Sequence, residues 1–341
     1  MRLLLIGGSG FIGRYVVAEL ARGGHEVGVL GRSRAVPGAA HFIAGDRKRL
    51  GDCRGRIAEF APDVVVDLIA SSGTQARGLV EVVRGIARRT VVLSSVDVYR
   101  ACGVLHRIEP GPLEPLPLTE SSALRSVLQT YPAQQLAALQ HLFGWVDSEY
   151  DKITVERSVR DLDATVLRLP MIYGPGDRLH RFHALLQRMH DRRPAIVMQD
   201  GVARWRAPRG YVENVAAAIA LAATDSRATG RVYNVTEAET FTELEWAQRI
   251  ARALGWDGSF VIAPADELPP TLRMPGNLAQ HWVVSSERLR RELDYREPVT
   301  DDDALGRTIE WERANPPATP IGPPIDYAAE DVVIAAHRPS A

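Results

Sequence analysis

"RLLLIGGSGFIGRYVVAELARGG", residues 2–24, is the stretch on which the architecture turns. The apolar run Leu3 to Ile6 passes straight into Gly7. Beyond it Val16, Val17, Leu20 and Ala21 fall on one helical stripe, which Gly23 and Gly24 end. The reading is a strand, a glycine turn and a helix. Gly7, Gly10 and Gly13 recur every three residues. In such a turn the first glycine permits the tight bend, the second lets a diphosphate approach the main chain, and the third lets helix and strand pack closely. Amides at the amino end of the helix, around Phe11 and Ile12, then face the phosphate.

Working outward, short strand-type runs alternate with helical patterns: "EVGVLG", "HFIAGD", "DVVVDLIA", "TVVLSS" and, at 164–170, "ATVLRLP". This alternation implies parallel strands joined by crossover helices, and the unbroken hydrophobicity of "VVVDLIA" fits a strand covered on both faces. The expected fold is α/β, a Rossmann-like doubly wound parallel sheet with a smaller C-terminal substrate lobe. We expect the dinucleotide-binding part to span 1–176, with an insertion at about 100–145 that includes the proline-rich excursion 103–120. The lobe occupies 177–317, where "RVYNV" and "FVIAP" read as strands between helices. The Pro-rich end, 318–341, is expected to lie extended on the surface or to reach a neighbouring subunit.

Composition narrows the function. A formal net charge of -1 and 24% charged residues leave no electrostatic footprint for nucleic acid. No stretch reaches 18 apolar residues, the length a membrane span needs. Two cysteines, Cys53 and Cys102, make neither a disulfide framework nor a zinc site. The expectation is a cytoplasmic protein with a small-molecule partner and neither nucleic acid nor membrane.

The spacing Gly-x-x-Gly-x-x-Gly in "GGSGFIG" resembles the short-chain dehydrogenase/reductase superfamily, in its extended branch, the NAD-dependent epimerase/dehydratase family. "GDR" at 45–47, "LSSVDVY" at 93–99, "LRLPMIYGPGD" at 167–177, "VENVAAAI" at 212–219 and "RTIEWERANPP" at 307–317 agree in order and spacing. The resemblance implies that Asp46 meets the adenine, Ala70 lines the cofactor path, and Pro170 with Ile172 flanks the nicotinamide. It also makes a homodimer the expected assembly. An acid at the end of the second strand would bind the ribose of NAD, whereas arginine there accommodates a 2′-phosphate. Here Gly31 takes that place, followed by Arg32, Ser33 and Arg34. NADP is therefore expected, with NAD as the other option.

Members of the superfamily use a Ser or Thr to hold the substrate oxygen, a Tyr as general acid/base, and a Lys four residues later that lowers the phenol's pKa and binds the nicotinamide ribose. Ser95 matches the serine. In "SEYDKITVE" Lys152 matches the lysine, but Ser148 stands four residues before it and Tyr150 only two. On a helix positions i and i+2 point roughly 200° apart, so the two could not share a face if both were helical. Alignment through Tyr150 instead puts Thr154 in the lysine's place. Three explanations stand: Tyr150 precedes the helix, Tyr99 or Tyr131 supplies the proton, or the protein binds a dinucleotide without the usual oxidation.

For the substrate, the resemblance places Met171 where nucleotide-sugar epimerases carry an Asn that reaches the diphosphate, and Arg209 where a substrate anion is often bound. A thioether cannot donate to a phosphate, so a less charged sugar, lactone or other carbonyl compound is favoured. His180, His183 and His190 share a helix without a completing carboxylate set, and no metal site is expected. The sequence thus points to an NAD(P)-dependent enzyme of the oxidoreductase, epimerase or dehydratase type, acting by hydride transfer on a hydroxyl- or carbonyl-bearing small molecule. Ser95, Tyr150 and Lys152 are its catalytic candidates. The alternative is a catalytically degenerate dinucleotide-binding regulator or sensor.

Overall fold

The computed structural model describes residues 1–32, 36–129, 131–319 and 324–337. Ser33 and Arg34 lie outside them. The chain opens with β1 (Arg2–Ile6), α1 (Phe11–Arg22), β2 (Glu26–Gly31), β3 (His41–Ala44), α2 (Arg54–Phe60), β4 (Val64–Asp67), α3 (Gly73–Val83) and β5 (Arg89–Ser95). An insertion carrying α4 (Arg100–Leu105) and α5 (Ala133–Phe143) leads to α6 (Lys152–Ser158) and β6 (Thr165–Leu169). There follow β7 (Met171–Tyr173), α7 (His183–His190), β8 (Ala195–Gln199), α8 (Asp200–Arg204), β9 (Arg209–Tyr211), α9 (Val212–Thr224) and β10 (Val232–Asn234). The chain continues through α10 (Glu243–Leu254), β11 (Ser259–Ala263), α11 (Glu287–Leu293), α12 (Asp301–Ala314) and α13 (Tyr327–Ala336).

Seven strands form one sheet in the order β10-β6-β5-β4-β1-β2-β3, with every pairing parallel. Leu5 of β1 sits between Val29 and Val66. Its neighbours divide between the two faces: Leu3 and Leu5 pack with Val16, Val17 and Leu20 of α1, and Leu4 and Ile6 with Ile57 and Leu79. Each fully buried aliphatic side chain contributes about 1.5–3 kcal/mol over its exposed state, which is why the central strands read as continuous apolar runs. The strand order reverses beside β1, and that reversal opens the crevice in which doubly wound sheets bind ligands.

Two boundaries differ from the sequence reading. "RVYNV" does not belong to the lobe, because β10 pairs with β6 as the seventh strand of the main sheet. The helix before it, α9, is rich in alanine with nine buried residues, and it packs along α1. A helix apolar on nearly all sides must be enclosed, so the chain returns from the lobe to the sheet before leaving again. The lobe carries two small parallel pairs, β11 with β8 and β7 with β9. Nor is the Pro-rich end extended throughout. After Pro324, α13 is capped by Asp326, inserts Val333 beside Ala263 and Leu268, and accepts a 2.6 Å hydrogen bond at Glu330 from Arg188 Nε. No helix among the described residues is long and apolar enough to cross a membrane.

Candidate active site

The glycine turn has no room for side chains. Gly7 has φ +89°, and a Cβ on Gly13 would stand 2.4 Å from the Gly7 carbonyl oxygen and 2.7 Å from the Gly8 backbone. The Gly10 amide donates to Gly7 O at 3.0 Å, and the first helical bond is Arg14 N to Gly10 O at 3.2 Å. Gly10 supplies no capping side chain. The amides of Phe11, Ile12 and Gly13 are thus left without intrahelical partners at the positive end of the helix dipole. Gly7, Gly10, Phe11, Ile12 and Gly13 line a cleft of about 520 Å³. A cradle of backbone donors that any Cβ would fill suits a diphosphate, so the residues present fit a dinucleotide.

At one end of this cleft lie Arg32 and Asp46. Arg32 forms no ion pair with a carboxylate among the described residues, and a Cβ on Gly144 would meet its Nη2 at 3.4 Å. Asp46 accepts the Lys48 amide at 2.9 Å, capping the short helical turn that follows β3. Pro170 and Ile172 wall the other end. Phe143, Gly144 and Trp145 of the insertion also line the cleft, and Arg178 lies 5.8 Å from the Phe143 ring centroid. These went unnoticed in sequence because nothing local links residue 143 to residue 7. Ala70 does not line the cleft. It is fully buried, and its carbonyl anchors Lys152 while Leu68 and Ile69 form the wall.

The candidate catalytic residues lie at the end of β5 and the start of α6. Ser95 closes β5, and its Oγ accepts the Asp97 amide at 3.2 Å. It therefore caps the turn with a lone pair while keeping its O–H proton to donate. Asp151 is the N-cap of α6, with extended backbone (φ -163°, ψ 121°), and accepts from the Ile153 amide at 2.8 Å. Tyr150 consequently lies outside the helix, and the 200° objection does not apply. The Lys152 ammonium is 6.0 Å from the Tyr150 ring centroid.

Lys152 does not reach into the cleft. Its Nζ donates to Ala70 O at 2.5 Å and Leu93 O at 3.1 Å, and burial pulls its pKa down to about 8. Thr154 serves packing, accepting the Gly73 amide at 2.9 Å. Tyr99 is likewise structural: its O–H donates to Asn234 Oδ1 at 2.6 Å and accepts from Arg168 at 3.0 Å.

Sequence reasoning missed Asp97, the residue that gathers this site. Its Oδ2 accepts from Tyr131 Oη at 3.1 Å and lies 3.5 Å from Tyr150 Oη, and the two rings meet edge to face with centroids 5.4 Å apart. Burial raises the Asp97 carboxyl, and burial is also the main cause that holds both phenols well above their ordinary value. The available signal was an acid two residues after the candidate serine. On the substrate side, Met171 packs against the apolar cluster of Leu105, Trp205 and Ala207. Arg209 is paired on one side: its Nη2 donates to both Glu243 oxygens, at 2.9 and 2.8 Å, and its guanidinium lies 4.9 Å from the Trp246 ring centroid, while its Nε and Nη1 are buried without a partner among the described residues. His180 binds Glu312 at 2.7 Å.

Residues 3–236 match the family described as the NAD dependent epimerase/dehydratase family. The 2'-dehydrokanamycin reductase of Streptomyces kanamyceticus is 26% identical over 281 residues, spanning 78% of this chain and 70% of that protein. The UDP-glucose 4-epimerase of Thermotoga maritima, solved with UDP-glucose, is 18% identical over 92% of this chain and 99% of its own, with a TM-score of 0.67. The dTDP-glucose 4,6-dehydratase of Bacillus anthracis, solved in complex with NAD, is 17% identical over 92% and 97%, with a TM-score of 0.63. At these identities the solved structures establish the shared fold.

Proposed function

The chain belongs to the NAD-dependent epimerase/dehydratase family and is an enzyme of the short-chain dehydrogenase/reductase type; within that family we propose that it is an NADP(H)-dependent reductase acting on a ketone of a small, sugar-like molecule. The bound nicotinamide supplies hydride. This chain's residues do the remaining work: the Phe11–Gly13 amides hold the diphosphate, Arg32 meets the 2′-phosphate, and Pro170 and Ile172 confine the reacting ring. The Ser95 O–H donates to the carbonyl oxygen, and Tyr150 delivers the proton that the oxygen takes up. Lys152 lies beside Tyr150 and, on releasing its two carbonyls, serves the cofactor ribose.

The observation that carries this reading is the placement of Tyr150 ahead of α6, beside Lys152 and over Asp97. Phenols held above their ordinary pKa stay protonated at neutral pH, which suits the reductive direction, where the substrate oxygen gains a proton. A relative named as a reductase supports the same direction. With Met171 in an apolar cluster and Arg209 neutralised by Glu243, an uncharged or cationic substrate fits better than a nucleotide diphosphate sugar. A non-catalytic sensor gains nothing from a site where two phenols and a lysine converge. Both cysteines are buried and unpaired, and we assign the enzyme to the reducing cytoplasm.

The test is to follow nicotinamide absorbance with NADPH and a panel of cyclic ketones, including keto sugars and dehydro-aminoglycosides, beside nucleotide-diphosphate sugars. Ketone-dependent NADPH oxidation is expected. No oxidation by any ketone despite measurable NADPH binding, or turnover restricted to nucleotide-diphosphate sugars, contradicts the proposal.

A further inference from the structure

Asp97 is 1% exposed, and its carboxyl group has unusual company. Two cations stand near it, and both are engaged elsewhere. Arg125 donates Nε to the Asp97 main-chain carbonyl, Nη1 to Val127 O and Nη2 to Asp151 Oδ2. Lys152 Nζ is taken by Ala70 O and Leu93 O. Among the described residues the only groups that donate to the carboxyl are the phenols of Tyr131 and Tyr150, both on Oδ2. Oδ1 is buried without a partner. Asp151 adds a second negative charge nearby, and the buried Cys102 thiol stays neutral. A structural carboxylate in such a place would have its oxygens satisfied by N–H donors. One that faces only phenols, with an oxygen free to carry a proton, is arranged for proton exchange.

We propose that Asp97 is a proton relay, holding the proton that restores Tyr150 after the phenol has protonated the substrate. The inference rests on the reading that a carbonyl is reduced above Tyr150. In the step, the Tyr150 O–H bond breaks as its proton passes to the oxygen of the reduced carbonyl. The O–H bond of the neutral Asp97 carboxyl then breaks, its proton re-forms the Tyr150 O–H, and Asp97 is left as carboxylate. Water returns one proton to Asp97 by way of Tyr131, which is half-buried and reaches the same oxygen from the insertion. The relay takes the place of the lysine that would otherwise lower the phenol's pKa. It explains how a phenol pushed above its ordinary value can turn over: its conjugate base is quenched by an adjacent acid whose own value burial has raised.

Infrared spectroscopy of the substrate-free protein gives a readout independent of turnover. At a pH above the ordinary aspartate value, the wild-type protein should show the C=O stretch of a protonated carboxyl that disappears in Asp97→Asn and shifts in Tyr150→Phe. With NADPH and a ketone accepted by the enzyme, Asp97→Asn should keep wild-type NADPH affinity and lose about 100-fold in turnover. The variant's pH–rate profile should lose the limb belonging to the carboxyl, and formate should restore part of the rate of Asp97→Ala. Absence of the band overturns the relay, as does an Asn variant with wild-type rate and pH profile. If the Asn variant does not fold, the Tyr150→Phe shift decides, and an unmoved band overturns the proposal. A failed ketone panel sinks the functional reading alone, because the infrared arm needs no substrate.

Discussion

Replacing Gly13 by alanine adds one methyl group where the structure has no space for it. The new Cβ would sit 2.4 Å from Gly7 O, 2.7 Å from Gly8 C and 2.7 Å from Gly8 Cα. All three are main-chain atoms of the turn itself, so no side chain can rotate away and α1 must lift from β1. Overpacking of this kind costs about 1–3 kcal/mol, which lowers the melting temperature of a chain this size by roughly 1–4 °C. The larger effect falls on the ligand. Lifting the helix moves the Phe11, Ile12 and Gly13 amides away from the diphosphate, and a hydrogen bond to a charged group is worth about 1.5–3 kcal/mol. NADPH affinity should therefore fall about 10–100-fold.

Gly306→Ala is the control: the position lies inside α12, and a Cβ added there would have nothing within 4 Å. Alanine at this site should stabilise by about 0.5–1 kcal/mol and leave NADPH affinity unchanged. Calorimetric titration and thermal unfolding read both quantities on the same samples. A Gly13→Ala protein that binds NADPH as tightly as the parent would refute the reasoning, because the diphosphate could not then rest on those amides.

Arg32→Ala should weaken NADPH about 10–100-fold while barely changing NADH, measured by fluorescence titration of both cofactors; equal losses would remove the 2′-phosphate contact. Tyr99→Phe should destabilise the fold by about 1–3 kcal/mol, since it leaves the buried Asn234 Oδ1 without its donor, yet leave ketone turnover intact. A large drop in its turnover without loss of stability would restore Tyr99 as a candidate proton donor. Lys152 is held near 8 against 10.5 when unfolded, so the unfolded chain binds the proton more tightly. The group's contribution to stability is fully present above the unfolded value and is lost as pH falls through about 8. Lys152→Met should remove that dependence and raise stability at neutral pH by at most about 3 kcal/mol, in denaturant titrations across this window.

What the sequence disclosed was what depends on short-range chain geometry. Gly7, Gly10 and Gly13 act through backbone clearance within one turn, and Asp46, Pro170 and Ile172 follow strand ends, so all of them line the one cleft. The catalytic group was only partly legible. Whether Tyr150 and Lys152 meet depended on one residue, Asp151, whose capping starts the helix after the tyrosine and not before it. Asp97 and Tyr131 are 34 residues apart, and their contact requires the insertion to fold back over β5. The tail was misjudged because its prolines drew attention away from "YAAEDVVIAA", whose Asp326 cap and inward Val333 are ordinary helix signals. The pairing of Arg209 with Glu243 was not legible because the glutamate arrives from a helix 34 residues later.

Crystals grown with NADP test the central claim most directly. The diphosphate should appear against the amides of Phe11, Ile12 and Gly13, with oxygens about 3 Å from nitrogen, and the nicotinamide should lie between Pro170 and the Ser95–Tyr150 end. A dinucleotide bound anywhere else, or a diphosphate that leaves those amides to water, would contradict the account.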